Sequence, residues 1–240
     1  MAKQMHDMVA QAPNEPESAA TPRAGLRRDK HQAITQAARI VFGRNGYTRT
    51  SMDMIAAEAD VSTRTLYKHF PSKEHLFTAV LLASATHVAE GFSADVERQL
   101  SGVDPLADLV ALGYACASLR TAFADHFAMV RWIEAEAPHF PPATIAAWQQ
   151  AGPLRVQHEL ARRLHELGAQ GLLRITDPSQ AALHFSALVT IGLTAYYGAA
   201  SLSEEQVNGA VIAGVNAFLN GYAAARPTQA GGASYDTKES

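Results

Sequence analysis

A single cysteine in 240 residues, Cys116, excludes an internal disulfide and a cysteine metal cluster. Glycine and proline are sparse too, at 16 and 11 residues, which excludes collagen-like and wholly low-complexity chains. No sustained alternation of apolar and polar residues supports a strand, and no fixed period marks a repeat. The chain opens without a charged-then-apolar leader, and with its lone thiol this predicts a reducing cytoplasm. Catalytic patterns are missing as well: there is no Ser or Cys nucleophile beside a His and an acid in a recognisable motif, and no Gly-rich phosphate loop. His158 and His165 lie seven apart with nothing at ligand spacing between them. The expectation is a protein that is not an enzyme and needs neither cofactor nor metal.

What is present is helix-forming. Alanine makes up roughly a fifth of the chain and 48% of residues are hydrophobic, enough for one sizeable core plus a smaller domain. The net charge of −3 conceals an asymmetry, because Arg23 to His75 holds ten Lys/Arg against five Asp/Glu, leaving ten against eighteen elsewhere. A small basic segment on an acidic remainder is the footprint of an anion-facing end, although a solvated helix face would look the same by charge alone.

The pattern predicts an all-α chain. Residues 1–22 and 226–240 have no apolar periodicity and read as disordered tails, 23–75 as a small basic helical domain and 76–225 as a larger helical domain. A first helix runs from about Arg27 to Arg44, with Ile34, Ala38, Val41 and Phe42 on one face and Asn45-Gly46 at its end. A short second helix is capped by Thr50 or Ser51, a third covers about Ser62 to His69, and Ser72 caps a long fourth. Asp104-Pro105 opens a helix to about Asp125, and further helices follow to about Ala224, broken by prolines at 138, 141 and 142.

Two short helices joined by the turn Asp60-Val61-Ser62, packed on a longer first helix, make a helix-turn-helix, the arrangement that sets a helix in a DNA major groove. Ile55, Ala56, Ala59, Leu66 and Phe70 are placed to pack the pair, with Val61 in the corner. That leaves Thr63, Arg64, Thr65, Tyr67 and Lys68 pointing outward, all of types that bond base edges or phosphates.

The run from Ile55 to Phe70, continued by Ser72-Lys73-Glu74 and Leu76 and preceded by Phe42, Gly46, Tyr47, Thr50 and Ser51, closely resembles the TetR-type bacterial regulators. The resemblance implies that Thr63, Arg64 and Thr65 face bases while Thr50, Ser51, Tyr67, His69 and Lys73 hold phosphates. Arg64 suits either a bidentate guanine contact or a phosphate, and His69 suits either a phosphate or a packed turn end. One departure is Asp60, where the family has glycine; Asp tolerates a left-handed backbone at some cost.

Beyond the motif, Tyr114, Phe123, Phe127, Trp132, Trp148, Phe185 and Tyr196 lie on helices that the family arranges around a cavity. A minority of them, with His158 or Glu134 as a polar handle, are candidates to line a pocket for a small, largely apolar effector. The stretch Trp132 to Pro141, followed by Gly152-Pro153 and Asp177-Pro178, resembles the AefR-type C-terminal domain. Cys116 sits in an apolar setting and reads as a buried residue.

Gln180 to Ser203 and Gln206 to Ala225 are uncharged and long enough for a bilayer, but polar residues interrupt both and no basic cluster flanks them. These last two helices read instead as a dimer interface of four helices, two from each subunit. The residues assigned to it are Phe185, Leu188, Gly192, Ala195 and Ala199 on one helix, and Val207, Val211, Gly214, Val215 and Phe218 on the other. Together these readings predict a homodimeric regulator that binds a palindromic operator in double-stranded DNA, acts as a repressor and is released by the effector. The competing readings are an effector-independent architectural DNA binder and a helical enzyme or carrier with a vestigial helix-turn-helix.

Overall fold

A computed structural model of the chain describes residues 22–194 and 202–222. Its helices in order are α1 (Pro22–Asn45), α2 (Met52–Glu58), α3 (Thr63–His69), α4 (Lys73–Gln99), α5 (Pro105–Ala122), α6 (Ala124–Ala135), α7 (Pro142–Ala151), α8 (Pro153–Ala169), α9 (Pro178–Thr194) and α10 (Glu204–Tyr222), with a 3-10 turn at Ala137–His139. No strand occurs among the described residues. Pro22, assigned to a disordered arm, is the first residue of α1. The rest of both proposed tails lies outside the described residues, as do Ala195, Tyr196, Ala199 and Ala223–Ala225.

Side-chain caps fix the short elements. Ser51, Ser62 and Ser72 each accept a hydrogen bond from the backbone N–H three residues on, opening α2, α3 and α4. Asp60 ends α2 with φ +51, its N–H donating to Ala57 O while Val61 N–H reaches back to Ala56 O. That pair of bonds closes a helix through a left-handed residue, as the sequence predicted for position 60.

Phe123 sits at a break that the sequence places about three residues later. The helix expected to reach Asp125 stops at Ala122, and α6 leaves at a bend of 79°. The Phe123 ring lies against Gly91 of α4, so close that a β-carbon there would collide with it.

Two cores result. Ile34, Ala38, Phe42, Ile55, Leu66 and Phe70 pack with Leu76, Phe77 and Leu81 of α4 and with Met129, Ile133 and Phe140 from the α6 region. The second core joins Phe92 and Val96 of α4 to α5, α8, α9 and α10 through Leu112, Leu160, Leu164, Phe185, Val211, Val215 and Phe218. α4 thus crosses the boundary drawn at residue 75 and belongs to both. Among the described residues α4 is long and apolar enough to cross a membrane, as is the bent α5–α6 pair taken together, but the apolar faces of α4 fill these two cores. α9 and α10, whose uncharged stretches are long enough for a bilayer but read as an interface, pack on each other and on α5.

Candidate nucleic-acid interface and ligand cavity

The outward face of α3 is built by what its inward face must do. Leu66 is fully buried and Phe70 caps the helix, so Arg64, Tyr67 and Lys68 are turned to solvent, Tyr67 at 49% exposure. None of these three makes a hydrogen bond or ion pair among the described residues. Thr63 and Thr65 are less free: Thr63 Oγ1 donates to Asp53 Oδ1 of α2 at 2.9 Å, and Thr65 Oγ1 shares a bond with Ser62 Oγ at 2.8 Å. Their hydroxyls brace the helix-turn-helix, while their methyl groups and Arg64 remain for a partner. His69 packs by its ring edge on His31 of α1, 5.9 Å between centroids, so the turn-end reading of this histidine has a structural basis.

Two of the residues assigned to phosphates take other positions. Thr50 is 3% exposed and its Oγ1 donates to Gly46 O at 2.6 Å, so its side chain closes the α1–α2 loop instead of facing outward. Ser51 is exposed at the α2 cap. Lys73 Nζ donates to the carbonyls of Tyr47 and Thr50 at 3.0 Å each and lies 4.4 Å from the centre of the Tyr47 ring. Its ammonium ties this loop to the start of α4.

The same loop is gripped from the other side by the last turn of α6. Trp132 Nε1 donates to Gly43 O at 3.0 Å, Arg49 lies over the Trp132 ring at 5.0 Å, and Thr48 donates through N–H and Oγ1 to Glu136 Oε2 at 3.0 and 2.9 Å. Gly46 is required here: its φ is +78, and a β-carbon would stand 2.9 Å from Trp132 and 2.8 Å from Glu136 Oε1. Trp132, assigned to the effector, is therefore a link between α6 and the helix-turn-helix.

The opposite face of α6 lines a cavity of about 270 Å³ with Phe127, Val130 and Glu134, closed by Ala85 and Val88 of α4, Leu119 of α5, and Trp148, Gly152, Val156 and Gln157 of α7 and α8. Of the residues assigned to the effector, the fold brings Phe127, Glu134 and Trp148 together here. Phe123 lines the neighbouring cavities instead. Tyr114 donates its hydroxyl to Asn208 Oδ1 of α10, away from this space, and His158 is exposed on α8. Phe185 is fully buried against Phe218, ring centres 5.0 Å apart, in the second core.

His126, buried between this cavity and a more polar one of about 350 Å³, hydrogen-bonds Ser84 Oγ through Nδ1 at 2.9 Å. Burial pushes its pKa down to about 4, so the ring is neutral near pH 7. Burial likewise pushes the Cys116 thiol up to about 12, which leaves it protonated and inert. Val130, Val156 and Gln157 were missed in the sequence because only the packing of both α6 and α8 on α4 and α5 brings them to one cavity.

The interface assigned to the last two helices needs correction. Phe185, Val211, Gly214, Val215 and Phe218 are buried within one chain, and a β-carbon on Gly214 would stand 2.5 Å from Leu188 O. Gly192 approaches Ala210 of its own chain, and Leu188 and Val207 pack half-buried at the edge of the same core. Large apolar residues turned outward on these helices include Leu183 and Ile191 of α9, 51% and 59% exposed, and Ile212 of α10 at 37%. The sequence pattern marked α10 as apolar on several faces, but which of them the chain itself covers depends on α5 and α9.

Residues 34–80 match the family model described as bacterial regulatory proteins of the tetR family, and residues 107–224 match the AefR-like transcriptional repressor C-terminal domain. A TetR-family protein from Mesorhizobium loti MAFF303099 is similar in structure, with a TM-score of 0.72 and 28% identity over 82% of this chain and 98% of that one. The Flavonoid-responsive Regulator FrrA is 30% identical with a TM-score of 0.60, over 81% of this chain and 97% of its own. The HTH-type transcriptional regulator TcmR of Streptomyces glaucescens is 36% identical over 81 residues, 34% of each chain. The match thus spans about a third of the length of such curated relatives.

Proposed function

This chain belongs to the TetR family of bacterial regulators with an AefR-like C-terminal domain, and from that premise we propose that it is a homodimeric transcriptional repressor, released from a palindromic operator by a small molecule held in the α4–α8 cavity. One observation carries the reading. α6 lines the cavity with Phe127, Val130 and Glu134, and in its last turn Trp132 bonds Gly43 O near the end of α1 and lies under Arg49 of the α1–α2 loop. A molecule that prefers a shifted α6 must then lower DNA affinity by the same factor by which DNA lowers its own.

The two α3 helices reach successive major grooves only when the dimer sets their spacing. We place the dimer contact on the outward face of α9 and α10 around Leu183, Ile191 and Ile212, where exposed apolar side chains otherwise meet water. Such a protein works in the cytoplasm, where the DNA is. The DNA contacts fall to Arg64, Tyr67 and Lys68 with the methyl groups of Thr63 and Thr65, and Ser51 and His69 flank them.

The test is selection of DNA from a random pool by the purified protein, followed by anisotropy titrations. Arg64→Ala is expected to relax preference at particular base pairs by about 1–3 kcal/mol, and Tyr67→Phe to weaken all sequences alike. Equal loss on selected and random DNA for both variants would remove α3 from base reading.

A further inference from the structure

Asp53 is an exposed carboxylate in the first turn of α2, and it is joined to the DNA-reading helix: its Oδ1 accepts the hydroxyl hydrogen of Thr63 at 2.9 Å. An acid suits the first turn of a helix in any case, but that preference does not require a bond to α3. A carboxylate beside a DNA surface repels phosphates and lowers affinity for every sequence, unless a base edge offsets the loss.

The direction of the bond decides what a base would meet. Thr63 has one hydroxyl hydrogen, and Asp53 takes it, so Thr63 Oγ1 keeps only lone pairs for a partner. Asp53 Oδ2 accepts no hydrogen bond and joins no ion pair among the described residues, and a carboxylate has no hydrogen to give. The pair therefore offers acceptors alone. Ser62 and Thr65 have no such polarity, since either of their hydroxyls can be the donor. Arg64, beside Thr63 in α3, is exposed and offers donors alone.

We propose that Asp53, acting with Thr63, sets the operator sequence by reading the N4 amino group of a cytosine in each half-site. The inference rests on α3 being the DNA-reading helix. In the major groove guanine presents the acceptors O6 and N7, and thymine an acceptor and a methyl group, so a pair that only accepts turns both away. Adenine N6 can donate, but it lies between two acceptors, its own N7 and O4 of the paired thymine, which face the carboxylate unfavourably. Cytosine N4 has one such neighbour, O6 of its paired guanine, and the donors of Arg64 suit that atom.

Sequencing of DNA selected from a random pool by the full chain and three variants tests this. The wild-type motif is expected to hold cytosine at one symmetric position of each half-site, favoured about tenfold over the other bases. Asp53→Asn, nearly identical in shape, keeps an oxygen for Thr63 but puts an amide donor in place of Oδ2. The same position should then change to adenine, which an amide pairs at N6 and N7. Asp53→Ala should flatten the preference and raise affinity for random DNA at low salt, an excess that fades as salt is added. Thr63→Val should weaken the cytosine preference without moving it, because the carboxylate stays. A purely structural Asp53 would alter melting temperature and affinity in its variants but not the selected sequence. That result, or a wild-type guanine or thymine at the position that Asp53→Asn changes, would overturn the proposal and leave α3 as the reading helix. A pool from which neither the wild type nor any variant enriches a sequence would overturn the operator reading itself.

Discussion

Asp60 shows how one residue can hold a turn that glycine would hold with less strain. At φ +51 it carries a left-handed backbone that costs an L-residue about 1–2 kcal/mol, while glycine would regain that freedom when unfolded. Asp60→Gly is therefore expected to leave the unfolding free energy within about 0.5 kcal/mol of wild type, and Asp60→Val to lower it by about 1–2 kcal/mol or more. Urea unfolding decides between them, and a Val variant as stable as wild type would contradict the left-handed turn. His126 makes a different statement. Its folded pKa of about 4 lies below the ordinary 6.5, so between those values the unfolded chain binds the extra proton. Stability from this residue is complete above about pH 6.5 and is lost as pH falls towards 4, at about 1.4 kcal/mol per pH unit. Arg39, His87 and Asp125 share the adjoining cavity, and Ser84 holds the ring. His126→Gln should flatten the acid limb of a stability-against-pH curve, with less change at pH 7 relative to pH 4.5 than wild type shows.

At the scale of elements, α6 matters most because it has three faces with three tasks. Met129 and Ile133 enter the core of the helix-turn-helix, Phe127 and Val130 line the cavity, and Trp132, with Glu136 just past the helix end, holds the α1–α2 loop. Glu136→Ala should speed amide exchange at Thr48 and lower stability by about 1 kcal/mol, while Glu136→Gln, which keeps an acceptor, should restore most of both. Gly46→Ala is expected to cost more, since the methyl group meets Trp132 and Glu136 and the backbone is left-handed as well. Hydrogen exchange and melting on these three variants check the ordering. A Gly46→Ala protein that melts like wild type would show that the loop is not held where the structure has it.

Across the whole molecule, α10 is shared between one chain's interior and its surroundings. Val211, Val215 and Phe218 face α5 and α9, and Ile212 faces out, as do Ile191 and Leu183 of α9. Ile191→Glu or Ile212→Glu is expected to split the dimer and abolish operator binding with little change in monomer helicity. Val211→Glu should instead unfold the larger domain, because a buried unpaired charge costs about 3–5 kcal/mol. Sedimentation with circular dichroism separates the outcomes; dimers that survive both isoleucine changes would move the interface off this face.

The sequence by itself determined whatever local chemistry fixes. Serine caps, the Asp60 turn, the apolar period of α1 and the basic balance of residues 23–75 are each set within a few residues, and together they gave the all-α class and the helix-turn-helix. Tertiary structure decided which surface each side chain meets. Thr50 and Lys73 have the composition of phosphate ligands but are turned onto loop carbonyls, and Trp132 has the composition of a pocket residue but binds Gly43. Val211, Val215 and Phe218 are apolar whether a second chain or α5 covers them, so periodicity could not choose between the two. That choice, and the meeting of Val88 and Phe127 with Trp148 and Gln157 around one cavity, rest on helix packing between residues far apart in sequence, where no local preference acts.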